Sequence, residues 1–146
     1  MRIIIQDPPP GEEDSIIINV KTMTENISRA INLIKSPDAI TVFAEGSSQA
    51  FLLPSADIFY AESVDLKTFV YAAKAVYRSR LKLYELEEIL ASGDFLRISK
   101  QVIVNVKKIR SVAPAGGGRF HANLASGDKV VISRAYVPAL KERFGL

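Results

Sequence analysis

Three polar segments in the second half of the chain carry residue types from which nucleic-acid contacts are built. They are "VDLKT" (Val64–Thr68), "SKQ" (Ser99–Gln101) and "SRAY" (Ser133–Tyr136). Each joins a hydroxyl or amide to a lysine or arginine at a break in regular patterning. Lysine and arginine donate to phosphate oxygens and guanine edges, while serine, threonine and glutamine both donate and accept. Taken singly, each segment reads as a solvated turn. The second is the least ordinary, because Ser99, Lys100 and Gln101 interrupt the apolar run "FLRISKQVIVNV" (Phe95–Val106).

Enzymatic chemistry finds fewer footholds. The single histidine, His121, falls on the polar face of a hairpin strand and reads as a surface residue. Glu85, Glu87 and Glu88 share the exposed face of a helix near Lys82, where i,i+3 contacts or solubility account for them. The glycines of "AGGG" (Ala115–Gly118) lie between strands. A phosphate cradle needs a strand–loop–helix setting with its lysine or dinucleotide fingerprint, so these glycines read as a flexible link. The chain has no cysteine, which removes disulfides, thiol chemistry and the commonest zinc frameworks and suits a reducing cytosol. No catalytic residue, metal or cofactor is expected, and no enzyme.

The elements that must hold the three segments follow from periodicity. Met1–Gln6 and Ile16–Val20 are strand candidates separated by the proline turn "DPPPGEED". Thr22–Ile34 reads as a helix with Ile27, Ala30, Ile31 and Ile34 on one face and Thr24 as its cap. "SPD" (Ser36–Asp38) ends it. From Ala39 the period changes to two. Strands are expected at Ile40–Ala44, Ala50–Leu53, Asp57–Glu62, Thr68–Ala72, Ala75–Ser79, around Phe95, at Ile109–Ala113, Arg119–Leu124 and Lys129–Ser133. A helix at "LYELEEILASG" interrupts them, and "RAYVPALKERFG" closes the chain as a short helix with Pro138 near its start. The expected class is mainly β with short helices (α+β). Residues 1–38 form a strand–turn–strand–helix segment and residues 39–146 a β domain.

Charge separates these two parts. The chain is only +3 overall, but residues 1–64 hold four basic and nine acidic side chains (4 − 9 = −5), and residues 65–146 hold fifteen and seven (15 − 7 = +8). A basic half points to a polyanion, and in a cytosol that is most often nucleic acid. No apolar run is long enough to span a bilayer, and the first residues are too short an apolar stretch for a signal peptide. A cytoplasmic protein without membrane insertion is expected.

The chain resembles the LytTR family of bacterial DNA-binding domains. "DIFYAES" (Asp57–Ser63), "LKLYELEEIL" (Leu81–Leu90), "FLRISKQVIVNVKKIRSV" (Phe95–Val112) and "GDKVVISRAYVPALK" (Gly127–Lys141) occur in the family's order and spacing. Each is weak alone; four in register are specific. The four motifs cover about residues 40–146, and the likeness is greatest to stand-alone members, in which a short strand–turn–strand–helix segment replaces the receiver domain, so that it extends along the whole chain. It implies an elongated, mostly antiparallel β fold whose loops enter successive major grooves along one face of duplex DNA. The implied contacts are Lys67 and Thr68 in the first loop, Ser99, Lys100 and Gln101 in the second, and Ser133, Arg134 and Tyr136 in the third. In the second loop Ser99 stands where the family usually has histidine. In the third, where the family often shows Ser-Arg-Arg-Tyr, the second arginine is Ala135.

The resemblance therefore implies a sequence-specific transcription regulator, binding as a homodimer or as two copies on repeated sites. Phe95, Ile98, Val102 and Val104 would anchor the second loop in the core. Arg97 is assigned to an internal ion pair or scaffold role, Asn105 to a turn, and Lys107 and Lys108 to phosphate contacts. The competing expectation is a protein-interaction or ligand-sensing module acting through the acidic N-terminal segment.

Overall fold

The protein is seen here as a computed structural model that describes residues 2, 4–35, 39–91 and 93–146, with the side chains of 32–35 excepted. Short runs rich in β-branched and aromatic residues become strands, since such side chains suit a pleated, half-buried surface. The strands are β1 (Ala39–Ala44), β2 (Ala50–Pro54), β3 (Tyr60–Val64), β4 (Lys67–Tyr71), β5 (Val76–Ser79), β6 (Phe95–Arg97), β7 (Val102–Asn105), β8 (Ile109–Gly116), β9 (Arg119–Leu124) and β10 (Lys129–Ile132). The helices are α1 (Glu25–Lys35), α2 (Leu83–Ile89) and α3 (Val137–Phe144). The mostly β class with three short helices is the one expected from the sequence.

Two antiparallel sheets result. Seven strands run in the order β2-β1-β5-β4-β3-β7-β6, and three in the order β10-β9-β8. Strand β7 is central to the packing. Successive residues on a strand point to opposite faces, so Ile103 enters one apolar cluster and Val104 another. The first cluster sets Val42, Ile58 and Val70 against Leu83, Leu86 and Leu90 of the α2 region. The second places Phe59, Ile98 and Val104 against Ala122, Leu124, Val130 and Ile132 of the small sheet, closed by Val137 and Leu140 of α3. Burying a side chain such as Leu86 or Ile132 contributes about 1.5–3 kcal/mol.

Local signals explain the helix starts. The Thr24 hydroxyl accepts from Ile27 N–H (3.3 Å), the cap the sequence indicates. Glu85 reaches back to Lys82 N–H (3.1 Å) and satisfies a donor that α2 leaves orphaned. Pro138 sits at the start of α3.

The N-terminal expectation is corrected. Residues 4–6 and 16–20 are not strands, and Ile4, Ile5, Ile16 and Ile17 are well exposed. An isoleucine run has strand propensity, but a strand persists only with a partner edge and a face to bury. Met1, Ile3 and the "SPD" stop at residues 36–38 lie outside the described residues. The glycine-rich link is also corrected: β8 extends to Gly116, and β9 returns after a tight turn, with Gly116 paired to Arg119.

Candidate nucleic-acid interface

The first polar segment forms the tip of the β3–β4 hairpin. Asp65 (φ 50°) and Leu66 (φ 65°) both adopt left-handed conformations, the geometry of a two-residue hairpin turn that matches strand twist. For non-glycine residues that geometry is strained. Lys67 follows, exposed, paired with Val64 across the hairpin. Because Glu62 pairs with Val102 in antiparallel register, this tip lies beside the start of β7.

The second segment leaves the sheet between β6 and β7. Ile98 is fully buried, and its N–H donates to Val102 O (3.0 Å), which closes the loop at its base. Ser99 turns inward and accepts from Gln101 N–H through its hydroxyl (3.1 Å). Arg97 braces the loop from below. Its guanidinium donates to the carbonyls of Ser99 and Lys100 and pairs with Glu87 of α2. Lys100 and Gln101 are left exposed at the crest. The scaffold role assigned to Arg97 is therefore seen, while its partner Glu87 was read only as part of an exposed acidic face.

The third segment follows β10. A 3-10 turn at Arg134–Tyr136 leads into α3, with Tyr136 N–H donating to Ser133 O (2.8 Å). Tyr136 is half-buried against the second cluster, and Arg134 is exposed.

Two backbone hydrogen bonds stitch the three segments into one edge. Ser63 N–H donates to Gln101 O (2.8 Å), joining first to second. Ser133 N–H donates to Ile98 O (2.8 Å), joining second to third. A shallow groove of about 440 Å³ runs between them, bringing Ser63, Ser99, Gln101 and Ser133 together with Lys129 and Glu62. Behind Glu62, Tyr60 and Tyr71 stack with ring centroids 4.1 Å apart, and Tyr71 donates its hydroxyl to Glu62 (3.1 Å). Burial, with Asp128, Tyr71 and Glu62 adding negative potential, raises the Tyr60 phenol well above its ordinary range. Burial and Glu62 raise that of Tyr71 as well. Both therefore remain neutral at physiological pH.

Among the described residues, Lys67, Lys100 and Arg134 form no ion pair, whereas Arg78, Arg97, Lys107 and Arg143 each face a carboxylate. Free cations on a continuous edge are what a polyphosphate backbone requires.

Residues 48–145 match the LytTr DNA-binding domain family. The chain belongs to that family. A solved LytTr DNA-binding domain from Bacillus cereus superposes with a TM-score of 0.69 at 25% identity, covering 75% of this chain and 98% of that one. The sensory transduction protein LytT of Enterococcus faecalis is 24% identical over 94% of this chain and 58% of its own length. An HTH-type transcriptional regulator of Staphylococcus aureus is 25% identical over 92% of this chain and 91% of its own. The chain thus spans little more than half of the first relative and nearly all of the second. The LytTr domain is a DNA-binding domain of transcription regulators, as the sequence leads one to expect.

The LytTr fold sorts the eight named residues. Lys67, Lys100, Gln101 and Arg134 are exposed, and Ser133 and Tyr136 are half-buried. Thr68 and Ser99 are buried, at 5% and 7% exposure. The signal for Thr68 was present: it shares the inward parity of Val70 on β4. Asn105 is more than a turn residue. It is buried, donates to Ile58 O (2.9 Å) and accepts from Lys107 N–H (3.0 Å). Lys107 and Lys108 lie at the opposite end of β7 from Lys100. Lys107 pairs with Asp94 (3.2 Å), and Lys108 lies over the Phe59 ring (4.9 Å). Among the described residues no helix is long and apolar enough to cross a membrane.

Proposed function

We propose that the edge formed by the three stitched segments is the surface that meets duplex DNA. Its loops enter the major groove, and the protein acts there as a cytoplasmic bacterial regulator of transcription with no catalytic step. The observation that carries this reading is the pair of backbone bonds Ser63–Gln101 and Ser133–Ile98, which hold exposed Lys67, Lys100 and Arg134 on neighbouring junctions. Loops braced by Arg97 and by buried Ile98 are ordered before binding, which lowers the conformational cost of complex formation. Lys100, Gln101 and Arg134 are the base-edge candidates. Lys67 suits phosphate, with Ser133 and Tyr136 contributing from the shoulder of the third loop. Thr68 and Ser99 shape the loops from inside.

Neutralising about five phosphates would make log K fall with log salt at a slope of about −4 to −5. Fluorescence anisotropy against genomic fragments across a salt series measures it. A flat salt response, or no binding to any fragment, removes the proposal.

For residues 1–38 we propose a contact between two copies bound to repeated sites, supported by the exposed Ile4, Ile5, Ile16 and Ile17, whose burial against a second copy would be favourable. Light scattering on a chain lacking residues 1–38 tests it. A dimer that becomes a monomer while still binding DNA supports the role; an unchanged oligomeric state places any dimer contact elsewhere.

A further inference from the structure

We propose that Gly118, in the β8–β9 turn, is the positioning residue that sets the direction of Arg134 at the DNA edge; this rests on the reading of the third loop given above. The third loop carries a single cation, because Ala135 stands where the resemblance has a second arginine. How Arg134 is held therefore decides what the loop can read. Among the described residues its side chain has neither an ion pair nor a side-chain hydrogen bond to fix it. What it has is a surface to lie on. A β-carbon built at Gly118 would stand 2.7 Å from Arg134 Cδ and 2.9 Å from Cγ, closer than real carbon contacts allow. The aliphatic stem of Arg134 thus occupies the space that any side chain at 118 would take. Long cationic side chains pack their methylenes on a neighbouring surface and leave the charged head in water. Bare glycine backbone supplies that surface here and reduces the rotamer entropy lost when the guanidinium engages DNA.

Gly118 has a second reason to be glycine, its φ of +77°, so the two reasons must be separated. Gly117 provides the control. Its φ of +61° imposes the same left-handed strain, yet a β-carbon there would meet only Arg119 Nε at 3.8 Å, an ordinary contact. Arg119 closes the same turn, its Nε donating to Gly116 O (3.4 Å). The β8–β9 turn thus lies beside the third loop.

The test is a double-mutant cycle in the full chain, read by fluorescence anisotropy against a duplex that the wild-type chain has selected from a random pool. Gly118→Ala should weaken binding about tenfold, and by less than about twofold when Arg134→Ala is already present. Gly117→Ala should bind within about twofold of wild type. Gly118→Asn, which tolerates left-handed geometry better and keeps the hairpin folded, should reproduce the loss of Gly118→Ala. Equal losses from Gly118→Ala in both backgrounds, an equal loss from Gly117→Ala, or unchanged binding by the Gly118 variants would overturn the positioning role. Wild-type binding by Arg134→Ala alone would instead remove the third loop from the DNA surface, and the positioning role with it.

Discussion

The two ends of β7 carry similar charge and handle it differently. Beyond its C-terminal end, Asp94 draws in Lys107 at 3.2 Å and Arg143 of α3 at 3.7 Å, and Lys108 lies on Phe59. At its N-terminal end the cations are divided by depth. Arg97 is spent on Glu87 and two loop carbonyls, and Lys100 above it is left free. Positive charge by itself thus does not separate the two ends. On the proposed reading, the DNA-facing end is the one where a paired cation, Arg97, fixes the backbone beneath an unpaired one, Lys100.

The sharpest break of that contrast is Arg97→Ala. It leaves the Ser99 and Lys100 carbonyls without their donor and should cost about 2 kcal/mol in urea unfolding, the part-exposed Glu87 pair contributing the smaller share. DNA affinity should fall with it, because the crest loses its brace. Loss of stability with full affinity would show that Lys100 is positioned by something else.

Lys100→Ala should do the reverse. Affinity for a preferred site should drop by about 1–3 kcal/mol, and discrimination at one base position should relax. The melting temperature should stay within experimental scatter. A uniform loss across all sequences would reassign Lys100 from base to phosphate. At the other end, Lys107→Ala should change stability by less than about 1 kcal/mol, since its pair with Asp94 is exposed, and should leave the salt slope of DNA binding unchanged. A shallower slope would extend the DNA surface to this end.

The smallest effect concerns pH. The phenol values of Tyr60 and Tyr71 are raised in the folded chain, by burial first, so the protonated form is the one folding favours. Their contribution is complete below the ordinary value of 10.0 and is lost as pH climbs above it. Urea midpoints should be flat through neutrality and fall on the alkaline side. The fall should be shallower in Tyr60→Phe, measured as the difference from wild type so that lysine titration cancels. An identical alkaline slope in both would mean that Tyr60 has no part in it.

Much of this arrangement was legible in residue order. Lys100 and Gln101 stood out because polar residues broke an apolar strand, and Thr24 because a hydroxyl preceded an apolar period by three. Arg97 was assigned a scaffold or ion-pair role once the resemblance had set the loop around it, and it holds both. The buried Thr68 was missed although its parity with Val70 announced it, since the resemblance directed attention to the loop rather than to the pleat. The N-terminal isoleucines misled for the opposite reason: propensity is local, but a strand needs a neighbour.

By itself, then, the sequence determined the strand and helix periods, the family, the basic half and the three polar breaks, because each is written in side-chain type and spacing along the chain. Only the tertiary structure decided that the breaks share one edge, that Glu87 reaches Arg97, and that Arg134 lies across Gly118. Those contacts join residues far apart in the chain. Their existence depends on sheet register and on the packing of two apolar clusters, quantities that no local pattern encodes.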